Sequence, residues 1–140
     1  MFEIRNVMTT DVITVNKNAP LYEVIRLLVE HNITGMPVVD DDMHLVGIIS
    51  EKNILRLLYE VEYFTSATVE DFMTTDVVSF DVEDSLVHVC DCLIQNQFRR
   101  IPILSKGKLV GIISRKNIIN NIFEYQDFFR DVPNRIGVHT

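Results

Sequence analysis

At 140 residues and 16.2 kDa the chain has the size of one domain, long enough to bury a core without disulfide or metal staples. Its 47% hydrophobic and 24% charged residues, with only 5 Gly and 4 Pro, exclude a disordered or collagen-like chain. A formal net charge of −7 and a pI near 5.0 argue against nucleic-acid binding, which needs a basic face. No apolar run comes near the ~18 residues of a membrane span, and Met1-Phe2-Glu3-Ile4-Arg5 lacks the apolar stretch of a signal peptide. The only cysteines, Cys90 and Cys92, stand two residues apart, a usage that fits a reducing cytoplasm.

Taken in chain order, the sequence reads as one unit written twice. Val7-Met8-Thr9-Thr10-Asp11-Val12 returns 65 positions later as Phe72-Met73-Thr74-Thr75-Asp76-Val77. After each copy comes a β-branched or aromatic stretch, Val12–Val15 or Val77–Phe80, that reads as a short strand. An amphipathic helix follows, its apolar face Leu21, Val24, Ile25, Leu28 and Val29 in the first copy. In the second the face is Leu86, Val89, Cys90, Leu93 and Ile94, both at i, i+3, i+4, i+7, i+8 spacing. Two strands come next, 36–39 and 45–49 around the acidic turn Asp40-Asp41-Asp42, or 101–104 and 109–113 around a Lys-Gly-Lys turn. Dropping Met43 changes the repeat shift to 64, and Leu45–Ser50 then matches Leu109–Ser114 at every position. A second helix begins after Ser50 or Ser114. The expected architecture is α+β, two β-α-β-β-α repeats over residues 7–62 and 71–124 related by a pseudo-twofold axis. Glu60 to Glu70 reads as the linker, and 125–140 as a tail.

Three signatures recur in order in both copies: Met-Thr-Thr-Asp-Val, the aliphatic pairs around Pro37 and Pro102, and Gly-Ile-Ile-Ser-x-Lys-Asn. Together they resemble the cystathionine-β-synthase (CBS) domain, present as the tandem pair called a Bateman module. The resemblance implies a disc-shaped pair that dimerises, binds adenosyl ligands between its repeats and is no enzyme.

It also implies site residues. The serine opening the second helix, Ser50 or Ser114, would meet phosphate, as well as capping the helix. The family's ribose-binding Asp is replaced here by Asn53 and Asn117. The adenine slot would be built from Ile13, Ile33 and Pro37 with neighbouring Thr34 and Gly35, and in the second copy from Val78, Phe98 and Pro102. Arg99 and Arg100 would send cations to the disc centre. The expected tighter site groups Val78 and Phe98 with Ser114 and Asn117, leaving Ser50 and Asn53 to a weaker one.

Other chemistry finds no residues to use. The four histidines share no spacing, the aspartate triplet reads as a solvated turn, and nothing resembles a catalytic trio or a P-loop. The expectation is a cytoplasmic regulatory module with no catalytic cofactor, which binds AMP, ADP or ATP and acts on a separate effector protein. Aromatic residues after the second helices, among them Tyr59, Tyr63, Phe123 and Phe128, suggest a homodimer seam. Two other readings stay open: a ligand-free interaction module, and one that binds S-adenosylmethionine or NAD.

Overall fold

A computed structural model describes residues 2–60, 62, 64–96 and 98–129, without the side chains of Phe128 and Phe129. Val61, Tyr63 and the tail beyond 129 therefore lie outside the described residues. The first repeat contains α1 (Ile4–Val7), β1 (Val15–Asn16), α2 (Leu21–His31), β2 (Gly35–Val39), β3 (Leu45–Ser50) and α3 (Glu51–Leu55), which tightens into a 3-10 turn at Arg56–Tyr59. The second contains α4 (Val69–Phe72), β4 (Phe80–Asp81), α5 (Leu86–Gln95), β5 (Arg100–Ser105), β6 (Lys108–Ser114) and α6 (Arg115–Glu124), followed by α7 (Gln126–Phe129). The class is α+β with two repeats, as the sequence predicts.

Each repeat folds one three-stranded sheet, ordered β1-β2-β3 and β4-β5-β6. The outer pairing is parallel, Val15 opposite Val38 and Phe80 opposite Ile103, and the inner one is an antiparallel hairpin. The hairpin turns explain the one-residue change of repeat shift. In the second, Lys106 and Gly107 both take positive φ (54° and 80°) between the paired Ser105 and Lys108, the two-residue turn that matches strand twist. The first is one residue longer and places Met43 at φ 66°. There the Asp40 carboxylate accepts from the backbone N–H of Asp42 and of His44, both at 2.9 Å. Those bonds, His44's the larger, hold Asp40 below the usual carboxylate range.

Two apolar clusters form, and each borrows a helix from the other repeat. Val15, Leu21, Val24, Met36, Val38 and Ile49 enclose Ala67, Val69 and Phe72. Val89, Leu93, Ile101, Ile103 and Ile113 enclose Ile4 and Val7. The expected linker is thus only partly a linker: its end, from Ala67, is core of the first repeat. Helix α4 is opened by a capping box in which Thr68 and Asp71 bond each other's backbone.

The predicted strand Val12–Val15 is also shorter than expected, because only Val15 and Asn16 find a partner in β2. Upstream, Thr9 pairs instead with Ile112 of β6. Residues 10–14 therefore cross the gap between repeats with no ladder beside them.

Candidate functional site

The crossings are built the same way twice. Thr9 and Ile112 exchange both backbone hydrogen bonds at 2.9 Å, and Thr74 and Ile48 do so at 2.8 and 2.9 Å. Glycines make room for this approach. A Cβ on Gly47 would stand 2.8 Å from the Thr74 carbonyl oxygen, and one on Gly111 3.0 Å from that of Thr9.

Each crossing threonine is then gripped by the helix that starts beside it. Ser114 opens α6 in a capping box: its backbone N–H and its hydroxyl donate to Asn117 Oδ1 at 2.8 and 2.9 Å. Asn117 Nδ2 donates to Thr9 Oγ1 at 3.0 Å. At α3 the pattern repeats, with Ser50 donating to Asn53 Oδ1 at 2.8 and 3.0 Å and Asn53 Nδ2 reaching Thr74 Oγ1 at 3.2 Å. The two asparagines that depart from the family's pattern thus clasp one repeat to the other. Of the paired threonines, Thr9 and Thr74 do this, rather than Thr10 and Thr75.

Two cavities open between the repeats. The larger, about 450 Å³, is lined by Thr34, Gly35 and Pro37 of the first repeat, the Ser50 end of α3, and Phe98, Arg99 and Arg100 of the second. The smaller, about 270 Å³, joins Ile13, Ile33, Gly35 and Pro37 to Arg100, Ser114 and Asn117. The expected grouping is therefore corrected. Phe98 lines the cavity of Ser50, and Ser114 with Asn117 lines that of Ile13 and Ile33, where the crossing from Thr9 to Ile13 meets the second repeat's helix. Val78 is 42% exposed and Pro102 fully buried, and neither lines these cavities. Asn53, 8% exposed, sits behind Ser50 rather than on the cavity wall.

Charge in the larger cavity is mostly positive: Lys52, Arg99 and Arg100 against Glu51. Among the described residues none of these three cations forms an ion pair. Arg115, one position after Ser114, is used differently, donating to the Leu93 carbonyl at 2.8 Å and that of Asn96 at 3.2 Å. Sequence reasoning passed over Lys52 as a site residue although it stands in the repeated Ser-x-Lys-Asn motif. It also passed over Asp11 and Ile112, which line the smaller cavity. Only the crossing places them there. Elsewhere Asp40, Asp42 and His44 bring donor atoms within 4.8 Å of one another, a closeness that the hairpin turn already accounts for.

The comparisons with known proteins agree with this architecture. A CBS protein from Bacillus subtilis, YhcV, is 30% identical over 121 residues, covering 86% of both chains. A Methanocaldococcus jannaschii protein is 33% identical over 116 residues, 83% of this chain and 41% of its own length. The chain thus spans less than half of that relative. Among solved structures, the CBS-pair protein CBSX2 of Arabidopsis thaliana, described in complex with AMP, superposes with a TM-score of 0.78 at 28% identity. That match covers 90% of this chain and 99% of the other. The family model for the CBS domain matches twice, over residues 4–60 and 69–124, and the chain belongs to the CBS-domain family as a tandem pair.

Proposed function

We propose that the chain is a regulatory module that binds an adenine nucleotide in the cavities between its repeats, works as a homodimer and acts on a separate effector protein. The observation that carries this reading is the larger cavity. It combines three cations that form no ion pair among the described residues, the start of α3 at Ser50, and an aromatic ring, Phe98, a set suited to phosphates at one end and a flat base at the other. The AMP complex of CBSX2 supports the ligand class. Three cations favour a di- or triphosphate over AMP in that cavity. The smaller cavity, with Arg100 as its cation, suits a monophosphate.

Homodimerisation is supported by the apolar residues left outside: Tyr59 is 89% exposed, Leu58 76%, Ile94 78% and Phe123 69%, more than a monomer of this size usually leaves in water. Tyr125 is different, since it meets Phe2 edge-on at 5.8 Å and so covers its own chain. Among the described residues no helix is long and apolar enough to cross a membrane. Both cysteines are free, which suits a reducing compartment.

One observation favours the ligand-free reading. The Asn53 and Asn117 oxygens are already committed to their own caps, so the family's ribose contact cannot form there. Thermal unfolding with AMP, ADP, ATP, NAD and S-adenosylmethionine decides between them. At a hundredfold excess over Kd a ligand adds about 2.7 kcal/mol, a shift of roughly 8 °C for a chain of this length. Stabilisation by ATP and AMP is the expected result. No response to any of the five would leave the interaction module standing.

A further inference from the structure

We infer that Asp11 supplies the ribose-binding carboxylate that Asn117 is not, so that the smaller cavity selects ribonucleotides through Asp11. The inference rests on the nucleotide reading above. A carboxamide oxygen has two lone pairs, and those of Asn117 Oδ1 both accept from Ser114, at 2.8 and 2.9 Å. The Ser114 hydroxyl has given its proton to Asn117 Oδ1 and accepts from the Asn117 backbone N–H at 3.1 Å, which leaves it one lone pair. A ribose cis-diol, which offers two O–H donors, finds no free acceptor on Asn117 and only that one on Ser114.

Asp11 supplies what is missing. It is the carboxylate on the wall of this cavity, and among the described residues it has neither hydrogen bond nor ion pair. Its position is fixed from both sides. Thr9, two residues before, is held to Ile112 by two backbone bonds and to Asn117 by its hydroxyl. Ile13, two residues after, faces the same cavity. Thr9, Asp11 and Ile13 all line this cavity, polar, anionic and apolar in turn. Arg100 stands on the cavity as its cation. A nucleoside monophosphate laid along this wall meets Ile13, Ile33 and Pro37 with its base, Asp11 with its diol and Arg100 with its phosphate. Asp11 and Asp76, its equivalent in the second repeat, are both exposed, but Asp76 lines neither cavity, so this selection belongs to one site.

Calorimetric titration with AMP and 2′-deoxyAMP tests the assignment. The wild-type protein is expected to bind AMP about tenfold more tightly than 2′-deoxyAMP, the difference of one charge-assisted hydrogen bond. Asp11→Asn should weaken AMP by about the same factor. It should leave 2′-deoxyAMP unchanged or slightly tighter, because a negative charge near the phosphate is removed. Asp76→Asn should keep the wild-type preference. Unaltered melting temperatures for both variants would show that folding is not the cause. An Asp11→Asn protein that keeps the AMP preference, or a loss of preference in Asp76→Asn alone, overturns the assignment while leaving nucleotide binding intact. Failure of the wild-type protein to bind either nucleotide overturns both readings together.

Discussion

Gly47→Ala isolates the crossing from everything else in the fold, and its cost can be worked from distances. The new methyl carbon would lie 2.7 Å from Met73 Sδ and 2.8 Å from the Thr74 carbonyl oxygen. A methionine tip can swing away. The carbonyl cannot, because it accepts from the Ile48 N–H at 2.9 Å while the Thr74 N–H donates back at 2.8 Å and its hydroxyl is held by Asn53. Relief therefore means moving the backbone and weakening that pair, at about 1 kcal/mol for each hydrogen bond, with more if a group is left buried and unpaired. Against this, replacing a glycine gains about 0.4–1 kcal/mol from the unfolded chain. The net expectation is a loss of about 1–2 kcal/mol, read in urea unfolding by circular dichroism. At Gly111 the methyl carbon meets mainly the flexible Met8, with the Thr9 oxygen at 3.0 Å, so Gly111→Ala should cost less than Gly47→Ala. Equal or greater stability in Gly47→Ala, or a larger loss at Gly111, would refute the reasoning that backbone approach governs these two positions.

Three further outcomes are expected. Replacing Arg99 and Arg100 together by Ala should weaken ATP at least tenfold while adenosine changes little, since charge-assisted bonds to phosphate contribute about 1.5–3 kcal/mol each; equal losses in calorimetry would remove the phosphate role. If the proposed homodimer forms through these residues, Tyr59→Glu with Phe123→Glu should turn it into monomer at micromolar concentration in sedimentation analysis, and an unchanged dimer would move the seam elsewhere. Asn117→Asp should raise stability by about 0.5 kcal/mol, because a carboxylate in the first turn of α6 meets the positive end of the helix and the Thr9 hydroxyl can turn to donate to it. A loss of stability on urea titration would mean that the Asn117 amide N–H cannot be replaced.

The parts of the fold that the sequence shows are those with enough residues to display a period. Helices α2 and α5 run 11 and 10 residues, and their apolar faces appear at the right spacing. The hairpins stand out because Gly-Ile-Ile-Ser returns intact. Helices α1 and α4, four residues each, span barely one turn and show no period at all, so of their buried residues Ile4 reads as terminus, Val69 as linker, and Val7 and Phe72 as the opening of the repeated motif rather than as helix. Ser50, Arg99 and Arg100, which a family motif singles out, are among the residues that line the larger cavity. The grouping of the site residues was not legible. Which slot meets which helix depends on the route taken by residues 9–14 and 74–79, and a repeat comparison treats each copy as if it closed on itself.

That route also explains why asparagine suits the position where the family has aspartate. The residue there must accept from the serine N–H and hydroxyl and also hold the threonine of the other repeat. An amide does both, with an oxygen for the cap and an N–H for Thr9 or Thr74, and carries no charge to be buried at Asn53, which is 8% exposed. The clasp is reciprocal, while of the two crossings the one from Thr9 to Ile13 walls a cavity. Each core likewise needs the other's short helix: without Val69 and Phe72 the first cluster loses a wall, and without Ile4 and Val7 the second does. Neither repeat closes its core with its own residues alone, and Thr9, which lines the smaller cavity, is tied across the repeats to Ile112 and Asn117.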